Sequence, residues 1–160
     1  MRLVIAAIGR LKDRGETDIV ARYAERIDAQ GRSVALGPLT IDELTESRAG
    51  DAKQRRDDEA ARLLNSAAAA DYLIALDERG RALSSRAFAG ELVRIRDSGA
   101  RAASFLIGGA DGHGEVALRA ARSTLSLGPM TLPHGLARAV LLEQIYRAIT
   151  IVAGHPYHRD

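Results

Sequence analysis

The feature that most restricts the fold of this sequence is an alternation of short apolar runs with segments of helical periodicity. Arg2–Ile8 is an almost uninterrupted apolar run closed by Gly9, which is typical of a strand buried on both faces of a parallel sheet. Tyr72–Leu76 and Ala103–Ile107 are similar runs. Strands that alternate with helices predict an α/β fold with a mostly parallel sheet, in which ligands bind at the carboxyl ends of the strands.

The remaining predicted elements lie between and after these strands. Apolar side chains at helical spacing predict one helix after Asp51 and four others, over Glu16–Gln30, Ser84–Ser98, Glu115–Ser123 and His134–Val152. Two further short strands are predicted over Ser33–Leu36 and Thr124–Leu127, whereas residues 40–49 are polar and receive no assignment. A length of 160 residues predicts one domain that spans residues 1–160.

Composition excludes several classes of protein. The chain has no cysteine, which rules out a disulfide scaffold, a thiolate zinc site and a cysteine nucleophile. No apolar run approaches the length of a membrane span or of a signal-peptide core, so we expect a cytoplasmic protein without a membrane partner. The net charge of +2 is too small to predict nucleic-acid binding. However, the positive excess and all four histidines lie in residues 113–160.

The last predicted helix is apolar around nearly its whole circumference. Such a helix has to be buried on more than one side, and a sheet covers only one of them. We therefore expect a homodimer with this helix at the interface.

Three segments of the carboxyl half carry candidate chemistry. The loop 107–114 is rich in glycine and is either a ligand cradle or merely a tight turn. The loop 126–134 has two prolines and is either a constrained binding loop or the start of a helix. The tail 154–160 combines histidine, tyrosine and arginine, which transfer protons and bind phosphate, unless it is a disordered end. We expect no metal, because Pro156 separates the histidines and no carboxylate lies at ligand spacing.

These segments, read as LIGGADGHG, LSLGPMTLPHGLARAVLLEQIYRA and HPYHRD, closely resemble the RlmH family of bacterial ribosomal RNA methyltransferases, which belongs to the SPOUT superfamily. The resemblance implies transfer of a methyl group from S-adenosylmethionine to N3 of a pseudouridine in helix 69 of 23S ribosomal RNA, on the assembled ribosome. It also implies a homodimer and an α/β fold with a trefoil knot near the carboxyl end.

The same resemblance assigns site residues. Those expected to hold the cofactor are Leu76, Gly108, Leu127, Gly128, Pro129, Met130, Thr131 and Leu132. In the tail, which is expected to reach the partner's cofactor, His158 would accept a proton, Arg159 would position the substrate and Tyr157 would complete the catalytic group. Residues expected to contact RNA are Arg138, Arg147 and His155.

Two alternatives remain open from the sequence. The glycine-rich loop and Asp77 are compatible with a nucleotide-binding α/β domain, although the glycine spacing matches neither a dinucleotide-binding nor a Walker motif. A protein that docks on the ribosome without catalysis is the second alternative.

Overall fold

The fold is an α/β arrangement of one parallel sheet and five helices, and the computed structural model describes residues 1–159 of the chain. Its strands are β1 (Arg2–Ile8), β2 (Leu39–Leu44), β3 (Tyr72–Ala82), β4 (Ala102–Ile107) and β5 (Ser123–Ser126). Its helices are α1 (Arg14–Gly31), a short 3₁₀ turn (Arg32–Val34), α2 (Ala52–Ser66), α3 (Ser85–Asp97), α4 (Glu115–Ala120) and α5 (His134–Val152). The strands lie in the order β2-β1-β4-β3-β5, and all neighbouring pairs are parallel.

Burial of the strands follows their position in the sheet. Every residue of β4 is buried, and β1 beside it is nearly so, as expected for central strands that are covered on both faces. Helices α1, α3 and α5 cover one face, where Leu3, Ile5 and Phe105 belong to the main core. Helix α2 covers the other face over Ile8 and Leu106, and α4 packs against α2.

Short polar side chains begin three of the helices. Asp13 accepts a hydrogen bond from the Glu16 amide, Asp51 from the Gln54 amide and Ser84 from the Ala87 amide. Each bond satisfies one of the amides that the first turn of a helix leaves without a partner. The predicted starts at Asp51 and Ser84 are confirmed.

The prediction of a second strand at Ser33–Leu36 is wrong. The chain forms the 3₁₀ turn there, and the Leu36 amide donates to the Gly31 carbonyl at 2.9 Å. Strand β2 instead lies in Leu39–Leu44, and all of it but Leu39 falls in the tract that received no assignment. β2 is an edge strand that pairs with β1, and each of its residues is half-buried or exposed. Its sequence therefore lacks the continuous apolar run of a central strand.

Strand β3 extends beyond its predicted end at Leu76. Its pairing with β5 is interrupted after Leu76 and resumes at Arg81. Gly80 lies so close to β5 that a β-carbon there would stand 2.8 Å from the Leu125 carbonyl carbon. The irregular segment 77–80 of β3 therefore begins at the level of the sheet where β4 ends.

Helix α5 packs against α1 and α3 but is not covered completely. Leu136 and Val140 are 43% and 39% exposed, and Ile19 of α1 is 37% exposed. Among residues 1–159, the structure has no helix long and apolar enough to cross a membrane.

Candidate functional site

A large cavity lies at the carboxyl edge of the sheet, where β3, β4 and β5 end. Parallel strands bring their carboxyl ends to one edge, and three loops meet there to enclose a volume of about 1020 Å³. Helix α2 and the short α4 contribute one wall, through Arg56 and Leu118. The lining residues from the loops and from the start of α5 are Leu76–Arg79, Ile107–His113, Leu125, Leu127, Gly128, Met130–His134 and Ala137.

The glycine-rich loop after β4 is a closed turn held by α2. The Gly112 amide donates to the Gly109 carbonyl at 3.0 Å, and Gly112 has φ of +78°, a conformation that favours glycine. Arg55 Nε donates to the Asp111 carboxylate at 2.6 Å, and this bond holds the pKa of Asp111 below its usual range. The loop therefore presents its backbone to the cavity in a fixed conformation.

The loop between β5 and α5 forms the opposite wall. The Gly128 amide donates to Ser126 Oγ at 3.1 Å, and Gly128 has φ of +131°. Of the residues that the sequence assigned to the cofactor, seven line the cavity: Leu76, Gly108, Leu127, Gly128, Met130, Thr131 and Leu132. Pro129 does not line it. Met130 is 78% exposed and stands at the rim.

His113 is a buried titratable group in the cavity wall. It is 9% exposed, and neither ring nitrogen makes a hydrogen bond of normal geometry. Burial lowers the pKa of His113, and the backbone of Leu76 and Leu106 and the charge of Asp77 oppose this shift only in part. The imidazole is therefore neutral at neutral pH.

This burial predicts an acid-sensitive contribution to stability. The pKa of His113 is lower in the folded chain than its unfolded value of 6.5, so below about pH 6.5 the unfolded chain binds a proton that the folded chain does not. We expect this group to lower the free energy of unfolding by up to about 1.4 kcal/mol per pH unit below that point. Urea unfolding of the native chain and of His113→Leu at pH 7.5 and 5.5 isolates the effect. Equal losses of stability in both proteins would contradict it.

The tail packs against α5 and α1, away from the cavity of its own chain. The Tyr157 hydroxyl donates to the Glu143 carboxylate at 3.0 Å and lies 3.2 Å from the Tyr23 hydroxyl. Burial, followed by these two hydrogen bonds, raises the pKa of Tyr157. His155 and Arg159 are exposed and His158 is half-buried. None of the described tail residues lines the cavity.

The two arginines that the sequence assigned to RNA lie in different environments. Arg147 is partly exposed, pairs with Glu143 and stands 4.9 Å from the Tyr157 ring centroid. Arg138 has no exposed surface, pairs with Glu43 and donates to the Gly9 carbonyl at 2.9 Å. Arg147 is accessible beside the tail, whereas Arg138 joins α5 to β1 and β2 inside the protein and offers no surface to RNA.

Sequence reasoning missed several residues of the cavity wall. Arg56 lies in the helix predicted after Asp51 and received no role from the sequence, and His134 was treated only as the end of the loop that leads into the last helix. Both line the cavity. The two charged residues after Asp77, which also line it, fall in the irregular part of β3 that no apolar pattern reveals. Among residues 1–159, no cluster of three or more side chains could hold a metal ion.

Comparisons with known proteins identify the family of this chain. A family model described as "Predicted SPOUT methyltransferase" matches residues 1–158, so the chain is of the SPOUT methyltransferase class. A "Ribosomal RNA large subunit methyltransferase H" of Xanthobacter autotrophicus is 50% identical over 99% of both chains. One of Phenylobacterium zucineum is 47% identical over 100% of both. The chain belongs to the ribosomal RNA large subunit methyltransferase H family, abbreviated RlmH.

Solved structures support the fold independently. A probable methylase family protein of Haemophilus influenzae matches with a TM-score of 0.54 at 13% identity, over 99% of this chain and 70% of that one. A probable methyltransferase of Bordetella pertussis matches with a TM-score of 0.51 at 16% identity, over 92% and 95%. At these identities the likeness concerns the fold alone.

Proposed function

We propose that this chain, acting as one SPOUT domain over residues 1–160, methylates N3 of a pseudouridine in helix 69 of 23S ribosomal RNA, with S-adenosylmethionine as methyl donor. The observation that carries the proposal is the three-loop cavity at the carboxyl edge of the sheet, in a chain of the RlmH family. The proposed substrate is the assembled ribosome, and the proposed location is the cytoplasm. The trefoil knot implied by the resemblance remains a prediction.

The cavity is suited to a nucleoside cofactor. Its volume is about 1020 Å³, at the upper end of the range of small-molecule sites. Gly112 and Gly128 line it and have only open space beside their α-carbons, so a ligand can approach their backbone directly. Leu76, Leu127 and Leu132 supply apolar surface for the faces of an adenine ring. When bound there, the sulfonium supplies an activated methyl group.

The chain's own residues would align the base and remove its proton. N3 has to lose a proton as it gains the methyl group, and we assign the acceptor role to His158 and substrate positioning to Arg159, beside Tyr157. Because its raised pKa keeps Tyr157 protonated, its hydroxyl serves as a hydrogen-bond donor rather than as the base. Arg147 and His155 remain the proposed RNA contacts, and Arg138 is no longer included since it is buried.

A second copy of the chain accounts for the separation between tail and cavity. The described tail does not line the cavity of its own chain. Ile19, Leu136 and Val140 are exposed apolar side chains of α1 and α5, which pack against each other. Exposed apolar side chains are suited to burial against another protein surface. We therefore propose a homodimer in which each tail completes the site of its partner.

The proposal is tested by binding and by methylation. Calorimetry should detect S-adenosylmethionine in the micromolar range and no response to NAD or ATP. Intact ribosomes, compared with separate subunits and free RNA, should then gain one methyl group on the helix 69 pseudouridine, located by mass spectrometry. Binding of NAD or ATP instead would favour a nucleotide-binding domain. Ribosome binding without any affinity for the methyl donor would favour a non-catalytic protein.

A further inference from the structure

Two consecutive arginines of α2 are used differently beside the cavity. Arg55 Nε donates to the Asp111 carboxylate at 2.6 Å, and its Nη1 donates to the Ala49 carbonyl at 3.2 Å. Arg56 lines the cavity, and its guanidinium makes no hydrogen bond or ion pair with any residue from 1 to 159. Of these two guanidinium groups of α2, that of Arg55 binds the glycine-rich loop, and that of Arg56 remains available to a ligand.

The charge of Arg56 is both close to the glycine-rich loop and uncompensated. Arg56 is half-buried, and its charge contributes, after that of Arg55, to the lowered pKa of Asp111. Since Asp111 already pairs with Arg55, it does not neutralise Arg56 as well. A cation that is withdrawn in part from water without a partner favours an anionic group of a bound molecule, because a guanidinium forms strong, charge-assisted hydrogen bonds with carboxylate.

We infer that Arg56 binds the carboxylate at the amino-acid end of S-adenosylmethionine. This inference rests on the proposed function. The loop from Leu127 to Leu132 is proposed to hold the nucleoside, which leaves the other walls of the same cavity for the amino-acid end of the cofactor. The carboxylate loses hydration when it enters the cavity, and the positive charge of Arg56 in one of those walls compensates for this loss.

A phosphate of the substrate RNA is the competing source of negative charge. The structure favours a different residue for that role, because Arg79 also lines the cavity and its side chain is 88% exposed. Arg56 is the less accessible of the two. A group enclosed by the cavity therefore suits Arg56 better than a bulky polynucleotide does.

The test compares two ligands that share a nucleoside. S-adenosylhomocysteine carries the carboxylate, whereas 5′-methylthioadenosine has the same nucleoside and thioether without the amino-acid end. Calorimetry with Arg56→Gln should show binding of S-adenosylhomocysteine weakened by about 10- to 100-fold, the usual effect of a hydrogen bond to a charged group, with binding of methylthioadenosine unchanged. Lys53→Gln is the matched control, since it removes one positive charge from an exposed position of the same helix and should change neither affinity.

Each other outcome overturns the inference in a distinguishable way. Equal loss of affinity for both ligands would mean that the substitution damages the cavity in general. Unchanged binding of both, with weaker binding of ribosomes, would assign Arg56 to RNA phosphate. If the native chain binds neither ligand, the proposed function fails together with the inference. If the native chain and Arg56→Gln bind S-adenosylhomocysteine equally well, the inference alone fails.

Discussion

Removal of residues 155–160 is expected to reduce methyl transfer to ribosomal RNA by about 10³-fold or more while S-adenosylhomocysteine still binds. The size of the loss follows from losing a proton acceptor and a positioning group together. Binding should survive because none of the described tail residues lines the cavity of the same chain. Single-turnover methylation of ribosomes and calorimetry with the product, on the same preparations, measure the two effects. Full activity without the tail would place the chemistry elsewhere.

Mixing two inactive variants determines which chain the tail serves. The first variant lacks residues 155–160 and keeps its cavity. The second keeps its tail and carries Ala110→Trp, at an exposed position of the cavity wall, and is used once calorimetry shows that it no longer binds S-adenosylhomocysteine. If the tail acts on the partner's cavity, mixed dimers contain one complete site and activity returns. If the tail acts on its own cavity, no complete site forms and the mixture stays inactive.

The second large effect is expected for Arg138→Met, which should lower the free energy of unfolding by about 2–3 kcal/mol, because a buried carbonyl loses its donor while the Glu43 side chain, 33% exposed, keeps access to water. Arg138 is fully buried, pairs with Glu43 of β2 and donates to the Gly9 carbonyl. Methionine would fill most of the volume but would leave the Glu43 carboxylate without its cation and the carbonyl without its donor. Only Arg138 of this pair is buried, so most of the cost comes from the buried carbonyl that loses its donor.

Urea unfolding of a matched set of variants tests this expectation. Adding Glu43→Gln to Arg138→Met should restore only part of the lost stability, because the amide needs no cation but the Gly9 carbonyl still lacks its donor. Arg119→Met is the control, since Arg119 pairs with Glu115 in α4 but is 75% exposed, and exposed pairs contribute little. If Arg138→Met unfolds at the same urea concentration as the native chain, the buried pair has no structural importance.

How much of this architecture could be predicted depended on how each residue is buried. β1 and β4 are central strands, and their continuous apolar runs gave their positions directly. β2 was not predicted because an edge strand with partly accessible side chains, such as Asp42, has no continuous apolar run. The cavity loops were found because glycine and proline mark unusual backbone.

The roles of charged side chains were harder to predict than the strands. Nothing in the sequence separates Arg138, which is buried, from Arg147, which is accessible, because both lie on the same apolar helix. Arg55 and Arg56 are also adjacent in the chain, yet only one of them is paired. Such differences depend on which groups the fold brings near, and sequence spacing does not contain that information.

Helix α5 also works as a spacer of fixed length. His134 in its first turn lines the cavity, whereas Glu143 anchors Tyr157 of the tail. At about 1.5 Å per residue, the segment between His134 and Glu143 is about 14 Å long. A stiff rod of that length holds the tail of each chain at a distance from its own methyl-donor cavity. Under the proposed function, an isolated monomer would fold and hold the cofactor yet remain inert, so the reaction could begin only after two chains had met.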